Sequence, residues 1–196
     1  MEKIRSILQA SINTKKHILA DPDLLSQIEQ TVQLITTAFQ QQKRLYLCGN
    51  GGSAADAQHL AAEFSGRFYT DRKALPAEAL HVNTSYLTAV ANDYGYDRVY
   101  SRLVAGITQP GDVLIGISTS GNSVNVVNAF ETARELGVIT IGFTGKDGGK
   151  MKSLSNHWIG VPSNDTPRIQ ESHITIGHII CQLVEEAFFQ ANQSAK

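Results

Sequence analysis

The stretch LYLCGNGGSAADAQHLAAEF, residues 45–64, passes from an apolar strand through a glycine-rich turn into a helix. A strand, a tight turn and a helix in that order are the opening half of a βαβ unit. The turn resembles G-x-G-x-x-G only in part. Gly49, Gly51 and Gly52 are in place, but Ala54 fills the last glycine position, and the next strand, in EALHVNTS, ends without an acidic partner for a ribose. A Walker A loop fails for want of Gly-Lys-Ser/Thr. Two readings remain at this point: a tight corner needing positive φ, or a turn that brings backbone close to a ligand and delivers His59 and Glu63 on the helix behind it.

Outward from this unit the alternation continues. Strand patterns are expected at 45–48, 78–82, 112–118, 138–143 and 157–161, with helices over 54–64, 86–91, 124–136 and about 169–189. Before them, Ile4, Ile7, Leu8 and Ile12 fall at helical spacing, and a second helix follows the Asp21-Pro22 cap signal. Near-continuous apolar strands that alternate with helices imply a parallel sheet covered on both faces. The fold class is α/β, a doubly wound five-stranded sandwich of flavodoxin-like type. Residues 1–196 are expected to form a single domain, with 1–42 as an N-terminal helical extension; the polar piece 66–77 reads as a loop.

Lys+Arg 17 against Asp+Glu 18 leaves a net charge of -1 with no basic run, which argues against a broad nucleic-acid or membrane surface. The opening MEKIRSILQASINTKKH has no apolar core, and nowhere do 18 apolar residues run together, so a cytoplasmic location is expected. Cys48 and Cys181 both lie in apolar surroundings and read as two buried free thiols.

In an open parallel sheet the residues just beyond the strands face the ligand crevice. After the third strand comes STSGNS, residues 118–123, leading into a helix. Its hydroxyls on Ser118, Thr119, Ser120 and Ser123, its free N–H groups and the positive end of a helix dipole are what a phosphate monoester needs in the absence of Lys or Arg. An ordinary serine cap would need one hydroxyl. On the helix after the first turn, Ala57, Leu60, Ala61 and Phe64 form the core stripe, and His59 and Glu63 share a different face one turn apart, where they can meet a metal or a substrate. The last helix carries Gln170, His173 and His178 and is apolar over more than one stripe downstream, as expected of a helix covered partly by a neighbouring subunit. A histidine in such a setting is usually a satisfied core residue.

Together GNGGSAADAQH with Glu63, AVANDYGYD, GDVLIGISTSGNS, FTGKDGG and TPRIQESHITIGHI resemble, in order and spacing, the phosphoheptose isomerases of the sugar isomerase (SIS) fold. The resemblance implies a cytoplasmic homotetramer with sites at subunit interfaces. It further implies interconversion of sedoheptulose 7-phosphate and D-glycero-D-manno-heptose 7-phosphate, on the way to heptose for lipopolysaccharide or another surface polysaccharide. Carried onto this chain, it implies a phosphate loop at Ser118, Thr119, Ser120 and Ser123. It places sugar contacts at Asn50, Gly51, Gly52, Ser53, Asn92, Asp93 and Gln170, and a zinc ion on His59, Glu63, Gln170 and His178, with Glu63 and His178 as the acid/base pair. Some relatives carry an aspartate before Arg-Ile-Gln, where this chain has Pro167, so that carboxylate's role does not transfer. Two further readings are another phosphosugar isomerase of the same fold and a non-catalytic SIS module of the kind that associates with the replication initiator DnaA. A module that only binds would not need His59, Glu63 and His178 together.

Overall fold

In the computed structural model, which describes residues 1–193, five parallel strands lie in the order β2-β1-β3-β4-β5. They are β1 Leu45–Gly49, β2 Ala77–Ala79, β3 Val113–Ile117, β4 Ile139–Thr144 and β5 His157–Gly160. The helices are α1 Glu2–Leu19, α2 Pro22–Gln40, α3 Gly52–Ser65, α4 Thr84–Tyr94, α5 Val99–Ile107, α6 Val124–Glu135, α7 Gly149–Leu154 and α8 Thr166–Gln193. Every residue of β1 and β3 is buried, as strands covered on both faces must be. The pleat divides their side chains between two cores. Leu45 and Leu47 join Val113 and Ile115 under α2, α3 and α8, while Tyr46, Cys48 and Leu114 face α5 and α6.

The helix starts have local causes. Asp21 Oδ1 accepts the N–H of Leu24 at 3.0 Å with Pro22 at the first position of α2, and Asn83 caps α4 by accepting from Tyr86 at 3.0 Å. Four elements depart from the sequence expectation. β2 is an edge strand of only three residues, ending at Ala79 rather than at residue 82. α5 and α7 went unanticipated, since α5 follows Gly95 and a short 3-10 turn, Tyr96–Arg98, that breaks the periodicity, and α7 is a six-residue turn behind two glycines. α8 begins at Thr166, with Pro167 in its first turn, and so joins Gln170 and His178 in one continuous helix.

The order places β1 beside β3, with their outgoing connections turning to opposite sides, so the crevice of the sheet lies where the two glycine and serine turns emerge. Two apolar surfaces remain outside the cores. On α1 only Thr14 and Ile18 are buried, leaving Ile4, Ile7, Leu8 and Ile12 exposed; on α8, Ile179 and Leu183 are exposed while Ile176, Ile180, Cys181 and Val184 are buried. Both cysteines are buried and free, as expected. Among the described residues no helix is long and apolar enough to cross a membrane.

Candidate active site

The turn after β1 is built on Gly51, whose φ of +55° lies in the region that favours glycine, and α3 opens directly behind it with Ala54 and Ala55 donating to the Gly51 carbonyl. A side chain at Gly51 would meet open space, so this is the point at which a ligand can approach the backbone. Gly52 is different: the Gln170 amide already occupies the space a Cβ would take, 2.8 Å away. Ser53 is buried in the first turn of α3. Asn50 is held by a residue that no motif in the sequence singles out. Asn50 Nδ2 donates to Asn125 Oδ1 at 2.8 Å and Asn125 Nδ2 donates back to Asn50 Oδ1 at 2.9 Å, with the Tyr96 hydroxyl also donating to Asn50 at 3.3 Å. Asn125 belongs to the first turn of α6, so this pair ties the glycine turn to the serine loop.

In the serine loop the four hydroxyls divide into two pairs. Ser118 and Ser123 hydrogen-bond to each other at 2.9 Å, and Thr119 and Ser120 line a cleft of about 370 Å³ with Lys146, Asn164 and Thr166. Gly145 N donates to the Thr119 carbonyl at 2.9 Å, which packs the FTGKDGG segment onto the loop and brings Lys146 to it. The sequence reading expected an anion site at this loop without Lys or Arg; Lys146 and Asp147, one of each charge, both line the cleft, reached only through the packing of β4's exit loop against β3's. Asn92 and Asp93 lie at the exposed end of α4, where the Asn92 amide donates to Asp93 at 2.9 Å.

Beyond the first turn, α3 and α8 run side by side in the same direction: Gly52 meets Gln170, and Leu60 meets Gly177. A Cβ at Gly177 would stand 2.6 Å from Leu60 Cδ1, so only glycine allows the helices this approach. The neighbours of that contact, His59 and His178, consequently meet. Their Nε2 atoms are 2.9 Å apart and Glu63 Oε1 is 3.4 Å from His59 Nε2, with one ligand atom from each of the three residues lying within 4.8 Å of the others. Phe68 packs its ring 5.7 Å from that of His178.

Two nitrogens and a carboxylate oxygen at these separations suit one small divalent cation, since tetrahedral zinc bonds of about 2.0–2.2 Å put neighbouring ligand atoms about 3.3–3.5 Å apart. The three residues belong to one chain. α8 begins at Thr166 rather than near residue 169, so Gln170 stands on the same helix about two turns before His178, its amide beside Gly52. His173 takes the structural role. It is wholly buried, its Nε2–H donates to the Thr144 carbonyl at 3.0 Å, and burial holds its pKa down at about 4, so it is neutral.

The fold is that of an SIS module, and residues 8–145 match the SIS domain family, to which this chain belongs. The chain is 55% identical over 187 residues to the phosphoheptose isomerase of Aneurinibacillus thermoaerophilus, with 95% of this chain and 94% of that protein covered. It is 53% identical over 186 residues to the phosphoheptose isomerase of Clostridium acetobutylicum, with 95% of each covered. The structure of phosphoheptose isomerase from Neisseria gonorrhoeae superposes with a TM-score of 0.88 at 40% identity, over 94% of this chain and 98% of that one.

Proposed function

We propose that this protein is a phosphoheptose isomerase that interconverts sedoheptulose 7-phosphate and D-glycero-D-manno-heptose 7-phosphate in the cytoplasm, supplying heptose for a bacterial surface polysaccharide. The observation that carries the reading is the meeting of Glu63, His59 and His178 where α3 and α8 pack together, in a chain more than half identical to enzymes of that name. Ketose-to-aldose conversion removes a proton from C1 and returns one at C2 through an enediol. Glu63 takes the C1 proton and delivers it to C2. His178 gives a proton to O2 and receives the proton of O1. The Thr119 and Ser120 hydroxyls, the Lys146 ammonium and the start of α6 take the phosphate, with Ser118 and Ser123 as a second hydroxyl pair behind them. Asn50, oriented by Asn125, and the open backbone at Gly51 face the sugar, with Gly52, under the Gln170 amide, and Ser53, Asn92 and Asp93 completing its contacts.

His59, Glu63 and His178 fit a zinc ion, which when bound would supply Lewis acidity toward the sugar oxygens; Gln170, whose amide stands beside Gly52, would be its fourth donor. A carboxylate engaged by a cation is a weaker base, so Glu63 acts through an oxygen not on the ion. The exposed apolar stripe of α1 and the Ile179 and Leu183 face of α8 support a homotetramer. Ile179 directly follows His178, so the site borders the surface that assembly would bury. The test is incubation with sedoheptulose 7-phosphate, with and without chelator, following the aldose by NMR. No aldose from metal-replete protein would overturn the reading.

A further inference from the structure

Residues 66–77 read from sequence as a polar loop, yet one carboxylate of α8 binds its first half. Glu185, 3% exposed, accepts the N–H groups of Phe68, Tyr69 and Thr70 at 3.1, 3.0 and 2.9 Å and the Arg72 Nε–H at 2.6 Å. Burial alone would raise its pKa, but the Thr70 N–H, the guanidinium and the other two N–H groups outweigh it and hold the carboxyl down at about 2. Arg72 then donates through its terminal nitrogens to the carbonyls of Glu63 at 2.8 Å, Phe64 at 2.9 Å and Gly66 at 3.2 Å. Two of these are last-turn carbonyls of α3, groups that lack partners within their own helix and favour a cation.

The placement goes beyond what a stabilising ion pair requires. Glu185 is seven positions after His178 on α8, about two turns and nearly the same face. Arg72 grips the main chain of Glu63 itself. The strap between them sets Phe68 against the His178 ring. The pair thus fastens the two helices that supply the acid and the base, just past the point where they meet.

We propose that Arg72 and Glu185 are positioning residues of the isomerase: their ion pair fixes α3 against α8 at the level of Glu63 and His178 and holds Phe68 on the His178 ring. The proposal rests on the assignment of Glu63 and His178 as the acid/base pair. Neither Arg72 nor Glu185 touches the sugar or its reacting atoms.

Glu185→Gln keeps the shape and one acceptor but removes the charge that Arg72 needs. The expected result is a kcat lower by about ten- to a hundredfold with KM within about threefold, because misplacement of the reacting groups costs turnover more than binding. The pH profile of kcat should shift, and the His178 ring proton resonances of the substrate-free protein should move. Arg72→Lys, which keeps the charge but loses the fork, should show the same pattern. A lowered unfolding midpoint with unchanged kcat, pH profile and His178 resonances would make the pair purely structural and overturn the proposal. If Glu185→Gln does not fold, Phe68→Leu, which leaves the ion pair intact, carries the test: moved His178 resonances and lowered kcat support it, and unchanged values overturn it. Should Glu63→Gln retain turnover, the acid/base assignment falls, while the His178 resonance, read without substrate, still decides whether the pair positions that ring.

Discussion

His59 and His178, separated by 119 residues in the chain, face each other with their Nε2 atoms 2.9 Å apart. Two neutral rings can share one hydrogen at this distance and two protonated rings would repel, whereas a cation could take both nitrogens with little movement. Protein purified without chelator is therefore expected to contain zinc, and His59→Ala and His178→Ala to lose it. Metal analysis showing equal zinc in the variants would place the ion elsewhere. Because Glu63 and His178 meet within one chain, mixing Glu63→Gln with His178→Ala subunits should give no recovery of activity; recovery after verified exchange would show that the pair is assembled across subunits.

Glu63→Gln keeps the shape of the side chain, and the bond from Arg72 goes to the Glu63 carbonyl rather than its carboxylate. Turnover should fall by about two to four orders of magnitude, the contribution of a general base. Thermal stability should hardly change. A variant with a tenth of the activity or more would remove Glu63 from its role.

Ser118→Ala with Ser120→Ala removes one member of each hydroxyl pair. Inorganic phosphate and substrate should bind more weakly by about tenfold or more, given about 1.5–3 kcal/mol for a hydrogen bond to a charged group. Unchanged affinity by titration calorimetry would mean that the phosphate lies away from this loop.

His173 makes stability depend on acid. Its folded pKa of about 4 lies below the ordinary 6.5, so the unfolded chain binds a proton that the folded chain refuses. The stabilisation is complete above pH 6.5 and is lost as pH falls from there toward 4, by about 3 kcal/mol at most. His81 and His157, also lowered by burial, act in the same direction. Denaturant unfolding at stepped pH should show a shallower dependence in His173→Gln, which keeps a donor for Thr144. Identical slopes would refute the assignment.

Much of the fold and site was legible in sequence because it is encoded locally. The strand, glycine turn and helix at 45–64 announce their own order, and the stripe Ala57, Leu60, Ala61, Phe64 separates the core from the face that carries His59 and Glu63. What escaped depends on contacts between distant segments. Lys146 reaches the cleft beside Thr119 and Ser120 only because two strand exits pack together, and Asn125 matters only because it meets Asn50 across 75 positions. Gly177 looked like an ordinary interior glycine, yet its missing side chain sets how closely α8 approaches Leu60. Glu185 lay unremarked within the helix expected over about 169–189, since nothing nearby in sequence tells that three amide hydrogens of a loop converge on it.

The exchange of amide bonds between Asn50 and Asn125 also bears on how the protein ages. Asn50 precedes Gly51, and asparagine followed by glycine is the dipeptide most prone to lose its side-chain amide, because the unhindered glycine nitrogen can close onto the side-chain carbonyl carbon. Here both the nitrogen and the oxygen of that amide are engaged from across the crevice, so the side chain is not free to swing toward Gly51. Conversion to aspartate would set a carboxylate against the Asn125 carbonyl oxygen, at the junction of the glycine turn and the serine loop. The same contact that ties the two turns together therefore guards Asn50 against slow chemical decay over the lifetime of the molecule.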